Sequence, residues 1–173
     1  MAVVDDREGW RAAFEAGWLK TYTETGELDW ANYNLPRNTT SIEGPAIDLK
    51  SAKLAVISSG GFYIEGEQEP FDEPDMHGRY DIRLLPVDAR TEDFAISHTH
   101  YDHTAANEDR QVLLPVDHLN AMVQAGEIGG LAPSIISFMG YQPDVTRVVD
   151  ETIPDVLNAV QSMGADAALL IPA

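Results

Sequence analysis

The residues best suited to chemistry lie in one stretch, from Asp93 to His118, which holds four of the five histidines. Three of them, His98, His100 and His103, fall within six residues together with Asp102. Imidazole and carboxylate are the side chains that bind metal ions and transfer protons near neutral pH. The stretch is therefore the candidate functional site.

Two local geometries give this cluster two different chemistries. If an extended strand continues through the cluster, His98, His100 and Asp102 share one face and form a catalytic set that orients a carboxylate-bearing substrate and transfers protons. If the backbone turns at residues 99–101, His103 joins His98 and His100 as a third ligand for a divalent metal such as Zn, Fe or Mn. The spacing alone leaves both open.

A second candidate region follows the apolar run of residues 54–58, which predicts a buried strand. Ser59, Gly60 and Gly61 come directly after it, at the end of a strand where ligands bind in open α/β sheets. Their backbone amides could hold an anionic group of a substrate, or the glycines could serve only a tight turn. We therefore include all three as candidate substrate-binding residues.

Two further side chains complete the predicted substrate site. Arg83 carries a guanidinium that can bind a substrate carboxylate through two hydrogen bonds, although ion pairing with the many acids is the alternative. Arg110 has the same two alternatives. Tyr101 can act as an acid or simply pack. His77 and His118 are interpreted as structural.

Hydrophobic periodicity predicts an α/β fold, with a three-layer arrangement of a mainly parallel sheet flanked by helices. The elements are predicted at these positions: a helix over 6–22, strands over 54–58, 81–87 and 167–171, an alternating segment over 93–100, and helices over 117–124 and from 152. The glycine-rich apolar segment 126–140 fits neither a helix nor a plain strand and is predicted to be a loop. The chain is expected to be a single domain, with residues 1–50 forming a helix and a wrapping segment and residues 51–173 forming the core.

Composition narrows the function classes. The chain of 173 residues has 29 acids against 11 basic residues, a formal net charge of -18, which disfavours binding to nucleic acid or an anionic membrane surface. No long apolar run or leader pattern is present, and we expect a cytoplasmic protein that does not bind membranes. The absence of cysteine excludes disulfides, thiolate metal sites and a thiol nucleophile within this sequence.

The pattern H-T-H-Y-D-H at residues 98–103 resembles the metal-binding signature of the metallo-β-lactamase fold. That resemblance implies a one- or two-metal centre that activates water. It keeps a metal-dependent hydrolase or lyase as an alternative function.

A second resemblance covers much more of the chain, from Leu54 to Ala173. The motifs that carry it are V-I-S-S-G-G-F-Y at 56–63, E-P-F-D at 69–72, D-I-R-L-L-P at 81–86, I-S-H-T-H-Y-D at 96–102, L-P-V-D-H-L at 114–119, G-E-I-G-G-L-A-P at 126–133, S-F-M-G-Y at 137–141 and G-A-D-A-A-L-L-I-P at 164–172. In this order they resemble the selenoprotein B family of glycine, sarcosine, betaine and D-proline reductases.

The resemblance implies a reductase that cleaves a C–N bond with a selenocysteine or cysteine as its redox centre. Because this sequence has no cysteine, it implies a partner polypeptide that carries the thiol or selenol, and hence a hetero-oligomer acting on a small amino-acid-like or amine substrate. Two other accounts remain: metal-dependent chemistry at the histidines, and a non-catalytic binding or assembly subunit.

Overall fold

The computed structural model describes residues 5–39, 44, 46–71 and 75–173. Asp72, the last residue of the E-P-F-D motif, lies outside these residues. The chain divides into two compact units, Met1–Pro45 with Asp144–Thr146 and Ala46–Pro143 with Arg147–Ala173.

The first unit is built on helical residues that follow one another without a break. Helix α1 spans Arg7–Phe14, a π-helical turn spans Glu15–Leu19, and α2 spans Lys20–Thr25. Asp6 caps the start by accepting a hydrogen bond from the Gly9 amide, and Gly26 ends the helix in the left-handed conformation. The predicted N-terminal helix is confirmed.

Aromatic rings at a helical spacing form the interior of the first unit. The buried aromatic residues of the helix are Trp10, Phe14, Trp18 and Tyr22. Both buried indoles donate to backbone carbonyls of the following segment, Trp10 Nε1 to Asn34 O and Trp18 Nε1 to Asp29 O, each at 2.8 Å. The buried aromatic residues thus hold the polar segment that follows the helix against it.

The second unit is built on a mixed sheet. Its strands are β1 (Lys53–Ser58), β3 (Ile82–Pro86), β5 (Gly130–Leu131), β6 (Ser134–Phe138) and β7 (Ala167–Ile171). A separate antiparallel pair is formed by β2 (Phe62–Ile64) and β4 (Phe94–Ile96).

Strand β1 is the centre of the main sheet. It pairs in parallel with β5, β6 and β7, whereas β3 pairs antiparallel with β6. The sheet is therefore mostly parallel, and the helices that flank it are α3 (Thr104–Glu108), α4 (Val116–Gln124) and α6 (Ile153–Ser162). The short helix α5 (Val145–Arg147) has residues in both units, and a π-helical turn follows over Val148–Thr152. The predicted α/β class is confirmed.

The main apolar cluster of this unit packs on one face of the sheet, and Ala55, Ile57 and Ile136 of the same strands are buried as well. Its members come from β1, β3, β6, α4 and the segments between them, and include Val56, Leu85, Leu114, Leu119 and Ile135. Residues 54–58 of β1 are all buried, which follows from the position of this strand between parallel neighbours.

The prediction of a loop over 126–140 is wrong in its centre. Residues 134–138 form β6, which lies between β1 and β3. Glycines and Pro133 break the local pattern, so the strand forms because its neighbours supply hydrogen bonds and bury Ile135 and Ile136, not because of intrinsic propensity.

None of the helices in the described part of the chain has the length and apolar character that a membrane-spanning segment needs.

Candidate functional site

Three chain segments meet at the predicted site. They are the turn 59–61, the end of β6 with the residues that follow it, and the segment that carries the histidines. Backbone hydrogen bonds join them: Gly61 N donates to Phe138 O, Gly140 N to Ser59 O, and Ser97 N to Gly61 O. The predicted histidine cluster and the predicted Ser-Gly-Gly turn, separated in sequence, are therefore parts of one site.

Two glycines allow this close approach. Gly61 has a φ of 69°, and a Cβ there would lie 2.8 Å from both the Cβ of His98 and the Ser97 carbonyl oxygen. A Cβ at Gly140 would lie 3.1 Å from His98 Nε2. Both positions thus pack the backbone directly against His98, which only glycine permits without displacement.

His98 is the buried member of the cluster, with 4% of its surface exposed. Its Nδ1 accepts a hydrogen bond from the His100 amide at 3.3 Å. Burial, with smaller contributions from the nearby His100 and His103, lowers the pKa of His98 to about 4. At neutral pH the ring is therefore uncharged, and with Nδ1 as acceptor its proton lies on Nε2.

His100 lies at the surface and is held by Tyr141. The two rings stack with centroids 3.8 Å apart and planes 1° from parallel. The His98 and His100 rings are 5.7 Å apart. A neutral, buried imidazole thus lies beside an exposed one.

Tyr101 and His103 close the turn around His98. The Tyr101 hydroxyl donates to Gly60 O at 3.0 Å, and burial raises the pKa of Tyr101 to about 12 although Arg110 opposes the shift. The His103 Nε2 hydrogen-bonds the His98 carbonyl oxygen. Tyr101 is thus a protonated hydrogen-bond donor, and His103 fixes the backbone of the turn.

The extended geometry for the histidine segment does not occur. Strand β4 ends at Ile96 and the chain turns at His100 and Tyr101. Asp102 instead accepts hydrogen bonds from the Thr104 amide and hydroxyl at 2.9 and 2.7 Å, and these bonds lower its pKa. His98 and His100 are brought together, whereas Asp102 is an exposed residue at the start of α3.

The turn does not gather a metal-ligand group either. Among the described residues, no three His, Cys, Asp or Glu side chains are arranged to hold a metal ion. The reason is local: His98 Nδ1 accepts the His100 amide, and His103 Nε2 is bonded to a carbonyl oxygen. The three rings as they stand do not fit a metal, and we derive no step through one.

The amides of the Ser-Gly-Gly turn are already used within the protein. Ser59 N donates to Ile171 O, Gly60 N to Ser58 Oγ, and Gly61 N to Phe138 O. The turn therefore shapes the site through its carbonyl groups and close packing, since these amides do not point to a free anion site.

Arg83 lies on β3 and makes contacts of its own. Its Nη1 bonds Asp81 Oδ2 at 2.5 Å, its Nε donates to Glu69 O, and its guanidinium lies 4.6 Å from the Phe71 ring centroid. The Phe71 carbonyl accepts the Ser97 hydroxyl. Arg83 thus supports the site through Phe71 and Ser97 and does not join the histidines.

Sequence reasoning from the residues missed Tyr141 as a partner of His100. Tyr141 follows β6 and reaches the site only because Gly140 packs against Ser59 and His98. Its only signal in the sequence was its place in the S-F-M-G-Y motif.

Comparison with known proteins adds a family. Residues 25–172 match the model for glycine/sarcosine/betaine reductase selenoprotein B. The chain is 30% identical to D-proline reductase subunit gamma of Acetoanaerobium sticklandii over 123 residues, 71% of this chain and 49% of that protein. It is 32% identical to glycine reductase complex component B subunit gamma of Peptoclostridium litorale over 148 residues, 84% of this chain and 34% of that protein.

The chain thus spans about half or less of the length of these curated relatives. A sarcosine reductase complex component B subunit beta from Peptoclostridium acidaminophilum matches 66% of this chain at 28% identity. No solved structure gives a significant match.

Proposed function

Because the chain belongs to the glycine/sarcosine/betaine reductase selenoprotein B family, we propose that it is a subunit of a reductase complex. The proposed reaction is reductive cleavage of a C–N or related bond in a small amino-acid-like or amine substrate. The redox thiol or selenol comes from a partner chain, and the complex is a hetero-oligomer.

The observation that carries this proposal is the family match over 25–172 in a sequence that has no cysteine. Reductive cleavage takes two electrons, which thiol or selenol pairs supply as they are oxidised to a disulfide or selenosulfide. This sequence has no residue for that half of the chemistry, which the proposal assigns to the partner.

The histidine site supports the other half, binding and proton transfer. When a C–N bond breaks with its electron pair on nitrogen, the departing amine takes up a proton. His100, exposed and stacked on Tyr141, is suited to exchange that proton with water. His98 makes no hydrogen bond through Nε2 within the described residues, and this N–H is suited to donate to a substrate carboxylate.

Co-expression tests the proposal. The chain is produced together with any cysteine- or selenocysteine-bearing polypeptide that a neighbouring reading frame encodes, and the complex is purified through a tag on one chain. With a dithiol reductant, we expect C–N bond cleavage in one of glycine, sarcosine, betaine or D-proline only when both chains are present. The product to measure is ammonia or a free amine for the first three substrates and the linear, ring-opened amino acid for D-proline.

Site variants sharpen this test. His98→Asn, which keeps an acceptor for the His100 amide, is expected to lower turnover about a hundredfold or more while the complex still forms. His118→Asn, exposed on α4, is the matched control and should retain full turnover. Turnover by this chain alone, dependent on stoichiometric Zn, Fe or Mn, would establish the metal-dependent alternative instead. Ligand binding without turnover in the complex would indicate a binding subunit.

A further inference from the structure

An apolar groove lies exposed along β7. Its lining is almost wholly hydrophobic, its volume is about 250 Å³, and it is formed by Ile57, Ser59, Phe138, Leu170, Ile171 and Pro172. Leu170, in the body of the strand, is 69% exposed. An apolar groove that contains a solvent-exposed leucine on a strand is typical of a surface that binds another protein.

The register of β7 explains why this face is open. Leu169 and Ile171 pack against the core, so Leu170, one residue out of phase, points to the opposite face beside its β1 neighbour Ile57. Among the described residues, β7 pairs only with β1. Its outer edge therefore leaves backbone groups for another strand.

The groove is continuous with the histidine site. Ser59 lines the groove, and its carbonyl accepts the amide of Gly140, which packs against His98 Nε2. Ser59 N also donates to Ile171 O of β7. A chain seated in the groove would lie next to the turn that shapes the site.

The net charge of the chain and the length of its relatives indicate what binds in the groove. Two copies of a chain with net charge -18 repel each other, which disfavours a self-association surface. More than half of each matched relative lies outside the part that this chain covers. We propose that the groove docks the partner polypeptide of the proposed function, through an apolar segment close in sequence to its cysteine or selenocysteine.

This inference rests on the proposed function, and one pair of variants tests it separately. Leu170→Asp places a charge in the groove, whereas Leu157→Asp, at a leucine 51% exposed on α6, places the same charge outside it. We expect Leu170→Asp to weaken binding of the neighbouring cysteine-bearing polypeptide at least tenfold, the effect of one buried leucine side chain. Leu157→Asp should change it less than twofold, as measured by calorimetry.

A second measurement does not depend on affinity. Because the chain has no cysteine, Leu170→Cys creates a single site for an environment-sensitive fluorophore, and Leu157→Cys gives the control. Adding the partner should shift the emission of the label at 170 to the blue and leave the label at 157 unchanged.

The outcomes separate the two proposals. Normal assembly and turnover with Leu170→Asp would overturn the groove and leave the proposed function standing. Failure of the wild-type chain to bind the partner would overturn both. Loss of self-association in Leu170→Asp, without any effect on the partner, would identify a second copy as the occupant and would also overturn this inference.

Discussion

The two units each contain a cluster of rings, but the clusters are made in different ways. In the first unit the rings of Trp10, Phe14 and Trp18 follow one another at centroid distances of 5.7 Å along one helical face. In the second unit His98 and His100 lie on an irregular segment, and Tyr141 is brought to them from the end of β6.

The difference shows what fixes a ring in place. A spacing of four residues on a helix sets neighbouring side chains on one face, so local backbone geometry alone orders the aromatic rings. The histidines have no such local rule, and their positions depend on the glycines at 61 and 140 that let other segments approach. We therefore expect the first cluster to be disrupted when side-chain packing on the helix is lost. The second should be disrupted when the contacts between its chain segments are lost.

The largest effect is expected from breaking the helical cluster. Phe14 is fully buried between Trp10 and Trp18, and Phe14→Ala should lower the free energy of unfolding of the first unit by about 3–5 kcal/mol. All three tryptophans of the chain, at 10, 18 and 30, lie in this unit, so urea unfolding followed by tryptophan fluorescence reports on it.

Leu35→Ala is the control for this prediction. Leu35 is exposed in the same unit, and its truncation should cost less than about 1 kcal/mol. Similar small losses in both variants would mean that the aromatic stripe does not form the interior of the unit.

Breaking the second cluster calls for a backbone change. Gly61→Ala adds a Cβ 2.8 Å from His98 Cβ at a residue with φ of 69°, and we expect a loss of about 3 kcal/mol from clash and strain together. Far-UV circular dichroism during urea unfolding measures the loss, and the His98 ring signals in NMR should shift.

Gly66→Ala separates strain from contact. Gly66 has a φ of 80°, but a Cβ there meets nothing within 4 Å, so the left-handed backbone alone should cost about 1 kcal/mol. Equal losses at 61 and 66 would contradict the view that Gly61 is required for packing against His98.

The same contrast separates what the sequence could predict from what it could not. The N-terminal helix, β1 and β7 could be predicted because their apolar patterns are local. Strand β6 could not, because the glycines and Pro133 around it interrupt the pattern and its pairing with β1 and β3 is non-local.

The site divides in the same way. Residue type and spacing were enough to select His98 and His100 as candidates, and the turn at Gly60 and Gly61 was predicted from its place at the end of a strand. Neither predicts that the turn packs on the histidine, since that contact joins segments far apart in sequence. Arg83 could not be assigned either, because its pairing with Asp81 is one of many ion pairs open to an acidic chain.

The smallest of these effects tests the buried histidine by pH. The pKa of His98 is about 4 in the folded chain and about 6.5 when unfolded, so between these values the unfolded state binds the extra proton. The stabilisation is present above pH 6.5 and is lost as the pH falls, by about 2.5 kcal/mol at pH 4.5. His98→Asn should remove this part of the pH dependence, and His118→Asn should keep it, in urea unfolding at pH 7 and 4.5.

With 29 acids in the chain, other groups also titrate in this range, so the difference between the two variants is the measured quantity. Equal pH dependence in both would mean that His98 is not the group whose protonation the fold resists, and NMR titration of its ring would then show a pKa near 6.5.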